Sequence, residues 1–319
     1  MKNFIFGIIG GTALLMYGVD IMGKGLEKAS GRFMKKVLSI LTGRVWSAFL
    51  VGIFLTALVQ SSTAVTVLTV GFVNAGLMKL SQAIGIIYGT NIGTTVTPQL
   101  MAASYSFNIT DYALPVIGVG FLISSIFKNR TLKSIGEALM GFGIMFLGLK
   151  ILNSGVPYMK NSLTLKYFFR AYASVPIIGI MLGTVVTALV HSSSATVGLV
   201  IVLGEAGLLT LPAAISIMLG DNIGTCITAQ LASLKGNINA RRTAWAHTIY
   251  NAVGVVIAAL VLPLFVKLVV IITEYIQPNA GISIMIANSH TLFNIISAVV
   301  FLPITKHYVK FIEYIVQGR

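Results

Sequence analysis

The chain has 319 residues, of which 56% are hydrophobic and only 9% charged, and its mean hydropathy is +0.92. A soluble domain carries about 25% charged residues, so this composition excludes a water-soluble fold and, with it, most enzyme classes. The formal net charge of +14 arises from 22 Lys and Arg against 8 Asp and Glu. In so apolar a chain, basic residues between apolar runs mark cytoplasmic loops and anionic headgroups rather than a nucleic-acid face.

In chain order, residues 4–22 form the first run long enough to cross a bilayer by the ~20-residue criterion. The run follows Lys2 but ends in Asp20 without a small-residue cleavage site, so it reads as a mature span rather than a leader. Residues 23–44 place apolar side chains at helical spacing on a basic background and predict an amphipathic helix lying in the interface. The stretch 45–78 carries a polar break, Gln60-Ser61-Ser62-Thr63, between arms too short for a crossing. Bare backbone at membrane depth survives only inside protein or against a wet cavity. The stretch is therefore read as a re-entrant hairpin with its polar tip near the midplane. Spans follow at 80–103, 112–127 and 134–152, and a second, less basic interfacial helix at 153–173. A second hairpin, 175–208, is broken by His191-Ser192-Ser193-Ser194. Spans at 210–233, 244–266 and 282–304 complete the set, with 244–276 long enough to tilt or break near Lys267. Seven crossings put the termini on opposite faces. The positive-inside rule then places the C-terminus in the cytoplasm with most of the 22 Lys and Arg, and the N-terminus outside. The single cysteine, Cys226, permits no intramolecular disulfide.

The strongest signal is an internal repeat. TALVQSSTAVTV (56–67) matches TALVHSSSATVG (187–198), and GTNIGTTVTPQL (89–100) matches GDNIGTCITAQL (220–231), all at one offset of 131 residues. Upstream the likeness fades, with Tyr17-Gly18 and Gly25 lining up with Leu147-Gly148 and Gly155. An odd number of predicted crossings separates the copies, which inverts one relative to the other. The predicted fold class is thus an all-α integral membrane protein: an inverted-topology repeat secondary transporter with two re-entrant hairpins and broken transmembrane helices. Its parts are a first repeat (1–127), a second repeat (128–266) and a C-terminal span with its tail (267–319).

Each repeat offers two polar clusters. At a hairpin tip the second arm begins with free N–H groups and a positive dipole end, which suits an anion. Gln60, Ser61, Ser62, Thr63, His191, Ser192, Ser193 and Ser194 add neutral donors, and no Lys or Arg lies near these tips in sequence. Two tips meeting from opposite faces would enclose a tetrahedral anion. In the G-x-N-I-G-T clusters, unwinding at glycine frees carbonyl oxygens, and Asn91, Thr94, Thr95, Asn222, Thr225 and Thr228 add side-chain oxygens suited to a hard cation such as Na⁺. Gln99 and Gln230 are placed to close the shell, and Asp221, where the first repeat has Thr90, is a candidate cation ligand or coupling residue. Asp20 and Glu137 belong to no motif, and Glu205 reads as interfacial. His191 makes one tip titratable. His247 and His290 recur in A-H-T-I-Y-N and S-H-T-L-F-N and read as packing groups. No nucleotide-binding loop, nucleophile elbow or zinc motif is present. Energy for transport must come from an ion gradient or from the substrate's own, and no prosthetic cofactor is called for.

These paired Q-S-S and G-x-N-I-G-T elements resemble the type II sodium–phosphate cotransporter family, above all its bacterial members, over nearly the whole chain. The resemblance implies Na⁺-coupled symport of inorganic phosphate across the cell membrane, with the two tips as the substrate site. The loss of the second tip glutamine to His191 is a departure. The implied partners are phosphate, Na⁺ and membrane lipids, with self-association left open. Bacterial relatives often carry a PhoU-like domain after the membrane part, which here is expected to be absent or supplied as a separate regulator. Phosphate export or uniport, carriage of another oxyanion, and a non-transporting phosphate sensor are the alternatives.

Overall fold

The computed structural model describes residues 2–39, 44–164, 167 and 175–317, and among these every regular element is helical. The first helix, α1, runs unbroken over Lys2–Ser39. Over residues 23–39 the amphipathic segment expected at 23–44 is therefore a continuation of the first span, because nothing between Met22 and Ser39 breaks the helix, and 40–43 lie outside the described residues. Its apolar face does not stop at the interface: Met34 and Leu38 are buried with Leu55, Val59, Val65 and Val73 of the next two helices. Those helices are α2 (Val45–Val59) and α3 (Ser62–Asn74), followed by α4 (Leu80–Thr94) and α5 (Val96–Phe107). A 3-10 turn, Ile109–Tyr112, leads to α6 (Ala113–Ile126), then α7 (Arg130–Ser154) and α8 (Val156–Asn161). Of the second interfacial helix expected at 153–173, the described part ends α7 at Ser154 and forms the short α8, and residues 165–166 and 168–173 lie outside the described residues. The chain continues as α9 (Pro176–Val190), α10 (Ser193–Glu205), α11 (Leu211–Gly224), α12 (Ile227–Ser233), α13 (Ile238–Leu260), α14 (Leu262–Ile276) and α15 (Ile282–Ile315). The step between α13 and α14 falls at Val261, not near Lys267. Pro263 lies in the first turn of α14, and a proline there cannot donate the N–H that would carry α13 onward. Residue 266 consequently lies inside a helix.

Among the described residues, six segments are long and apolar enough to cross a membrane: Phe6–Ser39, Ile109–Ile126, Arg130–Tyr158, Leu211–Ser233, Ile238–Leu260 and Ile282–Ile315. Segment 80–107 is divided at Thr95, at the end of the first G-x-N-I-G-T sequence. The equivalent division after Gly224 separates α11 from α12.

Between membrane helices the hydrophobic effect contributes little, and close packing at small residues does the work. A Cβ on Gly18 would fall 2.2 Å from the Met145 nitrogen, and one on Gly148 would fall 2.3 Å from the Leu15 nitrogen. These contacts climb α1 while descending α7, so the two helices run antiparallel. The opposite holds for α2 and α4. Gly85 packs on Val45, Gly89 on Phe49, and Gly93 on Ile53, so this pair runs parallel. The second copy repeats the arrangement, with Gly220 on Ile180 and Gly224 on Thr184. Because α4 starts level with α2 and points the same way, α3 must carry the chain back, and α2–α3 folds as a hairpin. The same reasoning makes α9–α10 a hairpin.

Each hairpin ends on a polar side chain that holds a later helix. Asn74 accepts a hydrogen bond from the Asn237 backbone N–H at 2.7 Å, at the start of α13. Its counterpart 131 residues on, Glu205, accepts from the Ser283 N–H at 3.2 Å, at the start of α15.

Candidate substrate site

The two hairpin breaks have one conformation. Gln60 takes the left-handed backbone (φ 56°, ψ 25°) and Ser61 is extended (φ −141°, ψ 97°). His191 (φ 56°, ψ 24°) and Ser192 (φ −144°, ψ 106°) repeat this. One left-handed residue ends the first arm, and the extended serine caps the second. The Ser61 hydroxyl accepts from the Ala64 N–H at 3.2 Å, and the Ser192 hydroxyl from the Ala195 N–H at 3.3 Å. The N–H groups of Ser62, Thr63, Ser193 and Ser194 then stand at helix starts, where no carbonyl one turn back exists to receive them.

All eight tip residues named from the sequence line one open cleft of about 1070 Å³. Thr94 and Thr225 join them, and α1 supplies the opposite wall. Here the structure corrects the expectation that no cation lies near the tips. Lys24 lines this cleft, with Asp20 and Glu27, although all three are far from the tips in sequence. Gly23 brings them there: a Cβ on it would sit 3.7 Å from the Ser61 Cβ.

Behind the cleft lies a second, small chamber of about 10 Å³, lined by Asn91, Thr94, Ser193, Asn222, Thr225 and His290. Thr94, Ser193 and Thr225 belong to both cavities and form the partition between them. The Asn91 amide donates to Asn251 Oδ1 at 2.9 Å and the Asn222 amide to the Met218 carbonyl at 2.9 Å. Each side chain thus spends its nitrogen and keeps its carbonyl oxygen.

The other residues named for a cation lie elsewhere. The Thr95 hydroxyl donates to the Ile92 carbonyl at 2.8 Å, one turn back, and the Thr228 hydroxyl to the Thr225 carbonyl at 3.0 Å. The Gln99 amide donates to Asn288 and Thr291, both at 2.9 Å, which ties α5 to α15. The Gln230 amide donates to the Thr248 hydroxyl at 2.8 Å, which ties α12 to α13. Asp221 is fully buried one layer behind the chamber. Its Oδ1 accepts from the Thr187 hydroxyl at 2.8 Å; its Oδ2 lies 3.8 Å from His290 Nε2 and has no hydrogen-bond donor among the described residues.

His290 was read from the sequence as a packing group, yet it lines the chamber. The duplicated H-T-x-x-N pattern was its visible signal. In both copies the asparagine amide donates to the histidine carbonyl one turn back, Asn251 to His247 at 3.1 Å and Asn294 to His290 at 3.0 Å.

A helical membrane protein with paired polar breaks around one cleft is the class that this geometry defines. Comparison with known proteins makes it particular. The Na⁺/Pi-cotransporter family matches residues 14–154 and 159–288, and the chain belongs to that family. It is 32% identical to YqeW of Bacillus subtilis over 318 residues, covering 98% of this chain and 99% of that one. It is 27% identical over 312 residues to YjbB of Escherichia coli, named for inorganic phosphate export, with 98% of this chain and 56% of that protein covered. It is also 34% identical over 108 residues to sodium-dependent phosphate transport protein 2A of Rattus norvegicus, covering 33% of this chain and 17% of that one. No solved structure matches.

Proposed function

We propose that the chain is a secondary transporter that binds inorganic phosphate between the two hairpin tips and moves it with Na⁺ across the cell membrane by alternating access. The observation that carries this reading is the convergence of both tips, identical in backbone and rich in neutral donors, on one cleft. Eight side chains and four free helix-start N–H groups suit a tetrahedral anion. The chamber behind the partition, with its amide and hydroxyl oxygens, suits a dehydrated Na⁺. A cation there would stand next to the anion through Thr94, Ser193 and Thr225.

The inverted arrangement is part of the proposal. Helices α1 and α7 correspond in the two repeats and run antiparallel. An antiparallel relation is what inversion of one repeat produces. On this reading the hairpins are re-entrant, because arms of 15 and 13 residues span roughly 20 Å, short of the ~30 Å hydrocarbon core. With 80–107 taken as a seventh crossing beside the six apolar segments, the N-terminus lies outside and the C-terminus in the cytoplasm. Phosphate export is the second reading, favoured by the name of the Escherichia coli relative. The two readings share one site and differ in the sign of the driving gradient.

The site is tested by the double variant Ser62→Ala, Ser193→Ala. Purified protein should elute and unfold as the wild type does, while saturable binding of labelled phosphate drops at least tenfold. Wild-type binding by this variant would remove the tips from the substrate site.

A further inference from the structure

The α1 wall of the cleft carries three ionisable side chains that the tip chemistry does not use. Lys24 Nζ lies 2.7 Å from Asp20 Oδ2, with about half or more of both side chains exposed. Glu27 lines the same cleft. One turn on, Lys28 is held by Glu137 of α7 at 2.9 Å, and Gly18 and Gly25, on either side of Lys24, pack directly on the α7 backbone. The wall is thus a rigid backbone bearing one movable ammonium. Among the described residues lining the cleft, Lys24 is the only Lys or Arg. Gly23, beside it in sequence, abuts the first tip.

We propose that Lys24 is the charge partner of the substrate: Asp20 holds it in reserve, and it exchanges to a phosphate oxygen when the anion seats between the tips. This rests on the tip site proposed above. Neutral donors select tetrahedral geometry but leave the anion's charge uncompensated, and an ammonium supplies charge-assisted hydrogen bonds. The exchange is inexpensive, because an exposed i,i+4 ion pair contributes little to stability. With both Asp20 and Glu27 present the wall is net negative. An anion entering alone is repelled, and a co-entering cation offsets that repulsion. The ion pair therefore makes phosphate affinity depend on the cation, and linkage makes the dependence reciprocal.

Partner variants separate this role from a structural one, because they should act in opposite directions. Phosphate binding to purified full-length protein is measured at low and high Na⁺. Lys24→Gln should raise the half-saturating phosphate concentration roughly tenfold, and Lys24→Arg should restore most of it. Asp20→Asn, which frees the ammonium, should lower that concentration several-fold, most at low Na⁺. Weaker binding in both Lys24→Gln and Asp20→Asn, or no change in either, would overturn the proposal and leave the pair a helix contact. Failure of the tip site would appear differently, as phosphate binding in which Ser62→Ala, Ser193→Ala equals wild type.

Discussion

Gln60 and His191 occupy the same left-handed position in the two hairpins with different side chains, and the neighbourhood shows how each is used. The Gln60 side chain is engaged: its carbonyl accepts from the Thr97 hydroxyl and its amide donates to the Ala57 carbonyl. His191 is more exposed and faces the cleft. Position 221 is the other asymmetry. In the first repeat Thr90 bonds its own helix at the Ile87 carbonyl, whereas Asp221 reaches Thr187 and faces His290. On the proposed reading, a carboxylate so placed would act on Na⁺ in the chamber at one remove, through His290 and the shared helix turn. Asp221→Asn should keep the Thr187 contact and fold, and shift the Na⁺ dependence of phosphate binding several-fold with little change at saturating Na⁺. Asp221→Leu, which leaves the Thr187 hydroxyl only its contact with Thr196, should also lower stability by about 1–3 kcal/mol. Na⁺ titrations and unfolding in detergent read the two effects. An unchanged Na⁺ curve in the asparagine variant would confine Asp221 to a structural role.

Among elements, the parallel pairs α2–α4 and α9–α11 set the site, because they aim each break at the cleft. Their approach depends on backbone touching backbone. A Cβ on Gly220 would lie 1.9 Å from the Ile180 carbonyl oxygen, a distance no rotamer can relieve, whereas Gly71 has nothing within 4 Å. Gly220→Ala should therefore cost about 1–3 kcal/mol or more, while Gly71→Ala should be neutral or stabilising by about 0.5–1 kcal/mol. Thermal unfolding in one detergent compares them directly, and equal stability of the two variants would contradict the packing. Much of this level was legible in the sequence, since a polar break in a short apolar arm and a fixed 131-residue offset are local patterns. The continuity of α1 was not, because the change from apolar to basic background at Gly23 alters which face is buried without breaking the helix. Nor was Lys24 legible as a cleft residue. Its place is decided by the contact of Gly23 with Ser61, a long-range approach with no sequence pattern. Gln99 and Gln230 show a further long-range feature: their duplicated spacing is visible in the sequence, but not that their amide nitrogens tie α5 to α15 and α12 to α13.

The whole molecule is two hairpins braced by different partners. Asn74 fastens the first to the start of α13 and Glu205 fastens the second to the start of α15, so the repeats match in position but differ in chemistry. On the proposed reading, two such halves around one site would let either face open in turn. The account's central claim is that phosphate passes through this cleft together with Na⁺. The direct measurement is labelled phosphate flux in proteoliposomes holding the purified chain, under a Na⁺ gradient and under an equal K⁺ gradient. Flux that requires Na⁺ and disappears in Ser62→Ala, Ser193→Ala is the predicted result. Phosphate flux that is equal in the two gradients, or that survives in the double variant, would contradict it.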